Sequence, residues 1–266
     1  MIDERAVIDK NAKIGSGVCI GPYAIIEDDV EIGENCKIAS HGIVRRGAVL
    51  GRGVNIDSFA VIGGAPQDVS FDQKISSGVL IGDGTIIREG VTIHRATAKG
   101  RCTKVGENCF LMANSHIAHD CIIGNEVKLA NGVLLGGFVR VDDHVFIGGN
   151  AVVHQNLRIG EGSIIAGNAR LNLDIPPFLI VSELVDVHGI NVIGIRRRGF
   201  GQAEISDLKI CFQEIINSPG NPYIKAQIAD EKEIAKTILG KVFLDFFKTK
   251  GKKGCVHQRH VGRNNE

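Results

Sequence analysis

Residues 111 to 124 read LMANSHIAHDCIIG, with two histidines three apart and an aspartate directly after the second, among small and aliphatic neighbours. A histidine titrates near pH 6.5 and is a natural general base at neutral pH. A carboxylate beside it can orient the ring and select its tautomer. His119 and Asp120 supply such a pair, with His116 close by and His154 on a later corner. One histidine on a turn is ordinarily a solvated polar residue. Two with an aspartate, in register with the bare glycine Gly137, point instead to acyl transfer, where a glycine N–H can hold an oxyanion.

That register comes from a repeat. Ile8, Ile14, Ile20, Ile26, Ile32, Ile38, Val44, Leu50, Ile56 and Ile62 are spaced six apart, and a second long run extends from Val105 to Leu171. Four positions after each aliphatic stands a small or branched residue, Ala12, Val18, Ala24, Val30 and Cys36 among them. Six is neither a helical period nor strict strand alternation; it is the mark of a parallel β-helix whose short strands meet at corners. Three hexads close one triangular coil, so residues eighteen apart stack at about 4.8 Å. Gly137 then stacks over His119, Gln155 follows one coil on, and Gly149 stacks with Gly167.

The period predicts a mainly β chain: a β-helix over residues 1–178, loops at 63–80 and 97–104, and a connecting segment at 179–200. A small α-helical cap over 201–250 follows, where GQAEISDLKICFQEIINS has helical spacing, NSPGNP breaks it, and DEKEIAKTILGKVFLDFFK forms another helix opened by Asp230. Residues 251–266 read as a disordered basic tail.

The 266 residues include 34 glycines, no tryptophan and 5% aromatics, so the core is built from small and β-branched side chains. Seven cysteines without CxxC spacing fit reduced thiols; Cys36, Cys109 and Cys121 fall in the repeat's small-residue slot. No run approaches a membrane span, and the acidic start MIDERAVIDK is unlike a signal peptide, which gives a cytoplasmic reading. From Gly194 onward, 14 Lys and Arg face 8 Asp and Glu, a basic region suited to an acidic partner. No aromatics interleave with the basic run KTKGKKGCVHQRH and no reading motif appears, which argues against nucleic acid.

PQD, VTIHR, TKVG, HIAHDC, VDD, IGGNAVVHQ, DIPP and GINVIGIRRRGF, in this order over about residues 1 to 250, resemble the bacterial UDP-N-acetylglucosamine O-acyltransferases of lipid A biosynthesis. The resemblance implies a homotrimer of left-handed coils with sites between subunits, no cofactor and no metal. His119 would be the general base toward the sugar 3-hydroxyl, Asp120 its orienting partner, and the Gly137 N–H the oxyanion donor. Gln67, Asp68, His116, His154 and Gln155 match positions lining the substrate site, and Asn191, Arg197 and Arg198 match those engaging the nucleotide diphosphate. Gly149, Ile164 and Gly167 match the acyl-chain groove, where glycine at 167 goes with longer chains. The donor implied is a 3-hydroxyacyl chain on acyl carrier protein, and the acceptor UDP-N-acetylglucosamine or a close analogue.

Three positions depart from the family pattern: Ser70 where a lysine is usual, Phe138 where a histidine follows the oxyanion glycine, and Ile193 where a glutamate is usual. They admit a 3-amino analogue as acceptor. Two other readings compete. A trimeric carbonic-anhydrase-like protein would bind zinc through His94, His116 and His119; a non-catalytic β-helix would keep only the binding surface.

Overall fold

The computed structural model describes residues 1–257. Strands of two to four residues follow one another around three sheets of nine, eight and ten strands, and through Arg170–Leu171 all pairing is parallel, each strand with the third before it or the third after. The first face begins at Val7–Ile8, the second at Lys13–Ile14 and the third at Cys19–Ile20, and the chain winds through them in that order. Within each pair the second residue points inward: Ile26, Ile56, Ile117, Leu135 and Ile147 are essentially fully buried, stacked coil on coil. The cysteines of the small-residue slot, Cys36, Cys109 and Cys121, are buried in the same column-like core.

Regular coils advance by eighteen residues, as in Leu135 pairing with Val153. Two are longer. Ile62 pairs with Ile93 and Ile93 with Ile117, so the intervening coils contain 31 and 24 residues. The second excess is one whole hexad, which explains why that insertion preserves the repeat's phase. Both loops are shorter than the sequence suggests. Val61–Gly64 and Gly78–Ile81 are strands, leaving 65–77 as the first loop; Cys102–Val105 pairs with Gly78–Ile81, so the second ends at Arg101. Ladder hydrogen bonds extend each strand past the point where the aliphatic pattern lapses.

The third face ends in Leu179–Val181, against which Val187–Ile190 folds back antiparallel. The helices are α1 (Val192–Arg197), α2 (Gln202–Ile215), α3 (Pro222–Glu231) and α4 (Ile238–Lys248). Helix α3 corrects the expectation of a break followed by one helix opening at Asp230. Pro222 occupies the first turn, where its missing N–H costs nothing, and the Asn221 side chain accepts from Tyr223 N. Asp230 falls near the end of α3, and Thr237 caps α4. The buried Asp207 carboxylate of α2 accepts from Lys236 N, Thr237 N and the Thr237 hydroxyl, fixing the link between the last two helices.

The tail expectation is also corrected within the described residues. Cys255 and Val256 are buried, and Asp174 N donates to Gly254 O at 2.8 Å while Val256 N donates to Asp174 O at 2.9 Å. The remainder of the tail, 258–266, lies outside the described residues.

Candidate active site

His119 sits where the first face turns into the second, between His116–Ile117 and Ile122–Ile123. Asp120 takes the left-handed turn conformation, φ 60°, that sharpens this corner. Its Oδ2 accepts from Thr97 N at 3.0 Å and Thr97 Oγ1 at 2.8 Å, and lies 3.0 Å from His119 Nδ1. With Nδ1 donating to that carboxylate, Nε2 is left free to accept a proton. Asp120 N donates to Thr103 Oγ1 at 2.8 Å, so threonines from the second insertion and the strand after it hold the dyad from both sides. Thr97 and Thr103 were not singled out from the sequence. The available signal was the hexad step from Ile93 to Val105, where Lys99 stands in place of an aliphatic and marks the loop that carries Thr97.

Gly137 does stack on His119. A Cβ placed there would lie 2.6 Å from Cε1 and 2.8 Å from Nε2 of the ring, so only glycine leaves the imidazole room. Gly136 N donates to Val153 O and Phe138 N to His119 O, whereas the Gly137 N–H has no partner among the described residues. It is available to a ligand. Phe138 packs edge-on to His119 with ring centroids 5.3 Å apart, in a left-handed conformation (φ 62°) that costs a side-chain-bearing residue about 1–2 kcal/mol.

Both insertions leave the coil at this same edge, immediately before His119 in the stack. Gln67 and Asp68 are exposed on the first. Hydrogen bonds from the Ser70 hydroxyl and N–H hold the Asp68 carboxyl below its usual range, and the nearby His119 adds to the shift. Ser70 therefore serves Asp68 where a lysine would have added charge. His116 Nδ1 and Thr92 Oγ1 are hydrogen-bonded at 2.7 Å, and His94 packs edge-on to His116 at 4.7 Å. Burial, with the two neighbouring histidines, pushes His94 down to about 4, and burial lowers His116 as well. Both rings are neutral at pH 7. His154 and Gln155 are exposed on the same edge further along.

The groove residues lie elsewhere in the single chain. Gly149 and Gly167 stack as expected, a Gly167 Cβ lying 3.1 Å from Gly149 O, but they follow Phe146–Ile147 and Ile164–Ile165. They mark the edge between third and first faces, while His119 marks the edge between first and second. His119 and Gly167 therefore lie on different edges of the coil within one chain. Asn191 is buried and committed: its Nδ2 donates to Gly162 O at 2.9 Å, and its Oδ1 accepts from Gly194 N at 2.9 Å, capping α1. Arg198 pairs with Glu161 and packs over Phe178 and Phe200, whereas Arg197 is exposed.

A family model described as UDP-N-acetylglucosamine O-acyltransferase, domain 2, matches residues 174–256, and hexapeptide-repeat models match 11–46, 102–137 and 138–172. The acyl-[acyl-carrier-protein]–UDP-N-acetylglucosamine O-acyltransferase of Campylobacter lari is 41% identical over 222 residues, covering 83% of this chain and 84% of the relative. This chain belongs to that family. Its counterpart in Halorhodospira halophila is 43% identical over 216 residues, 80% of this chain and 83% of that one. Among solved structures, the UDP-N-acetylglucosamine acyltransferase of Francisella novicida superposes with a TM-score of 0.91 at 35% identity, covering 98% of this chain and 95% of its own. The Campylobacter jejuni enzyme gives 0.90 at 34%, covering 97% and 100%. The left-handed parallel β-helix with a small helical cap is the architecture the family shares. The zinc reading loses its ground, because the family match spans the coil and the cap together.

Proposed function

We propose that the chain transfers a 3-hydroxyacyl group from acyl carrier protein to the 3-hydroxyl of UDP-N-acetylglucosamine, the first step of lipid A biosynthesis, in the cytoplasm. The observation that carries this reading is the His119–Asp120 dyad packed against Gly137, whose N–H has no partner among the described residues. With Nδ1 held by Asp120, Nε2 takes the proton of the sugar hydroxyl as its oxygen attacks the thioester carbonyl. The Gly137 N–H stabilises the oxyanion of the tetrahedral intermediate. Collapse breaks the carbon–sulfur bond, and the imidazolium returns its proton to the leaving thiolate. Every step uses groups of this chain and needs no cofactor.

A homotrimer is supported by the first face. Its outward residues from Val7 through Ile25, Ile43, Val61, Thr92, His116, Leu134 and Val152 include no Lys, Arg, Asp or Glu, and Arg170 on its last strand is the one charge that follows. The second face presents Lys13, Glu31, Lys104 and Arg140 at equivalent positions. Leu134 and Val152 are 44% and 42% exposed, a stripe that a second copy would cover. Packing three first faces around an axis brings the groove edge of one subunit beside the His119 edge of the next. Gly149, Ile164 and Gly167 then meet the general base across the seam, with the exposed Arg197 available to the nucleotide. The net positive charge of the chain from Gly194 onward suits the acidic carrier. Among the described residues no helix is long and apolar enough to cross a membrane.

Mass spectrometry of products from purified protein, given acyl-carrier-protein donors and either UDP-N-acetylglucosamine or its 3-amino analogue, tests the reading. An ester product that disappears in His119→Ala, with the variant still trimeric and folded, is expected. His116→Ala should be damaged less. A His119→Ala rate at a tenth of wild type or more refutes the general-base role.

A further inference from the structure

Past α4 the chain returns to the coil. Pairing of Gly254 and Val256 with Asp174 pins the tail above Arg158, two residues along from Asn156 on the edge that carries His119. Lys252 is thereby laid down that edge. Its Nζ donates to Asn156 Oδ1 at 2.8 Å and lies 5.8 Å from the Phe138 ring centroid. That ring in turn meets His119 edge-on. An exposed ammonium, with no carboxylate partner among the described residues, is held one aromatic ring away from the general base.

A sugar nucleotide brings a diphosphate to this place. With its 3-oxygen at His119 Nε2, the phosphorus on the anomeric oxygen falls on the order of 6 Å away, from single bonds of ~1.5 Å. The cations on hand for it are few. Arg197 is exposed and available, but Arg198 is already neutralised by Glu161, and position 70 holds a serine that serves Asp68. Phe138, strained in its left-handed turn, gives the lysine an aromatic face to rest on, and Asn156 gives it a hydrogen bond.

We propose that Lys252 is an acceptor-binding residue that contacts the diphosphate of the sugar nucleotide, steered to it by Phe138 and Asn156. This rests on the acyltransferase reading for the ligand's identity. It requires no proton or bond to move, so the effect belongs to binding and not to the chemical step.

The test compares wild type, Lys252→Met and Lys252→Arg, the methionine keeping the apolar stem and removing the charge. Calorimetric titration with UDP and with uridine, and steady-state constants for acceptor and donor, are measured on all three. A charge-assisted contact predicts UDP affinity about tenfold weaker in Lys252→Met. Uridine affinity should be unchanged, and acceptor KM should rise by a similar factor at constant kcat. Lys252→Arg should bind UDP within about threefold of wild type, restoring the charge-assisted contact. Equal UDP affinity in wild type and Lys252→Met overturns the proposal, as does an equal loss for uridine or a rise confined to the donor KM. A wild-type protein that fails to bind UDP overturns both the proposal and the reading beneath it, whereas one that binds UDP normally leaves only the Lys252 contact at stake. Matching melting temperatures confirm that the tail remains seated.

Discussion

Replacing Gly137 by alanine separates the position of the His119 ring from the rest of the oxyanion geometry. Alanine keeps the backbone N–H, and Gly137 does not occupy the left-handed region, so the backbone itself tolerates a Cβ. That Cβ would stand 2.6 Å from His119 Cε1, against an ordinary contact of at least 3.4 Å, so the imidazole must retreat by about 0.8 Å. The ring can yield, being the free end of a side chain that is 15% exposed, so stability should change little. Catalysis is less forgiving: a misplacement near 1 Å can cost ~10²-fold, or about 2.7 kcal/mol in the barrier. We expect kcat to fall by about two orders of magnitude, with KM for both substrates and the melting temperature nearly unchanged. The control is the double variant with His119→Ala. With no ring to displace, Gly137→Ala should add almost nothing to the loss already caused. Single-turnover rates on the four proteins give the coupling directly. A Gly137→Ala enzyme within threefold of wild type refutes the reasoning, as does an undiminished effect in the His119→Ala background.

Two further outcomes follow from the geometry. Gly167→Met should shift donor preference from chains of 12 carbons or more toward shorter ones in a competition of 10-, 12- and 14-carbon donors; identical profiles in the two proteins would remove Gly167 from the groove. His94, held near 4 while its unfolded counterpart titrates near 6.5, keeps its full stabilising contribution above the unfolded value. As pH falls from about 6.5 toward 4 the unfolded chain takes up a proton that the folded one refuses, so up to about 3 kcal/mol is lost. The melting temperature of wild type should therefore drop more steeply over that window than that of His94→Phe, and parallel profiles would contradict the assignment.

The hexad period was sufficient, by itself, for the coil, its eighteen-residue stacking and the seat of Gly137 over His119. Each follows from one local rule repeated, because an inward aliphatic every six residues admits no other register. It was also enough to mark both interruptions, though not their ends: strand pairing with neighbouring coils pulled Gly78–Leu80 and Cys102–Lys104 into the sheets. Proline and glycine in NSPGNP read as a break, yet Pro222 starts α3, because a proline's effect depends on whether its N–H would have had a partner. The site's support was beyond local rules. Thr97 and Thr103 reach Asp120 across a coil of altered length, and Asn191 spends its amide on Gly162 and Gly194. The tail, a basic and polar stretch with no period, gave no sign that it would pair with Asp174 and set Lys252 beside Phe138. Such contacts join residues roughly 80 to 115 positions apart, and only the packed molecule brings them within reach.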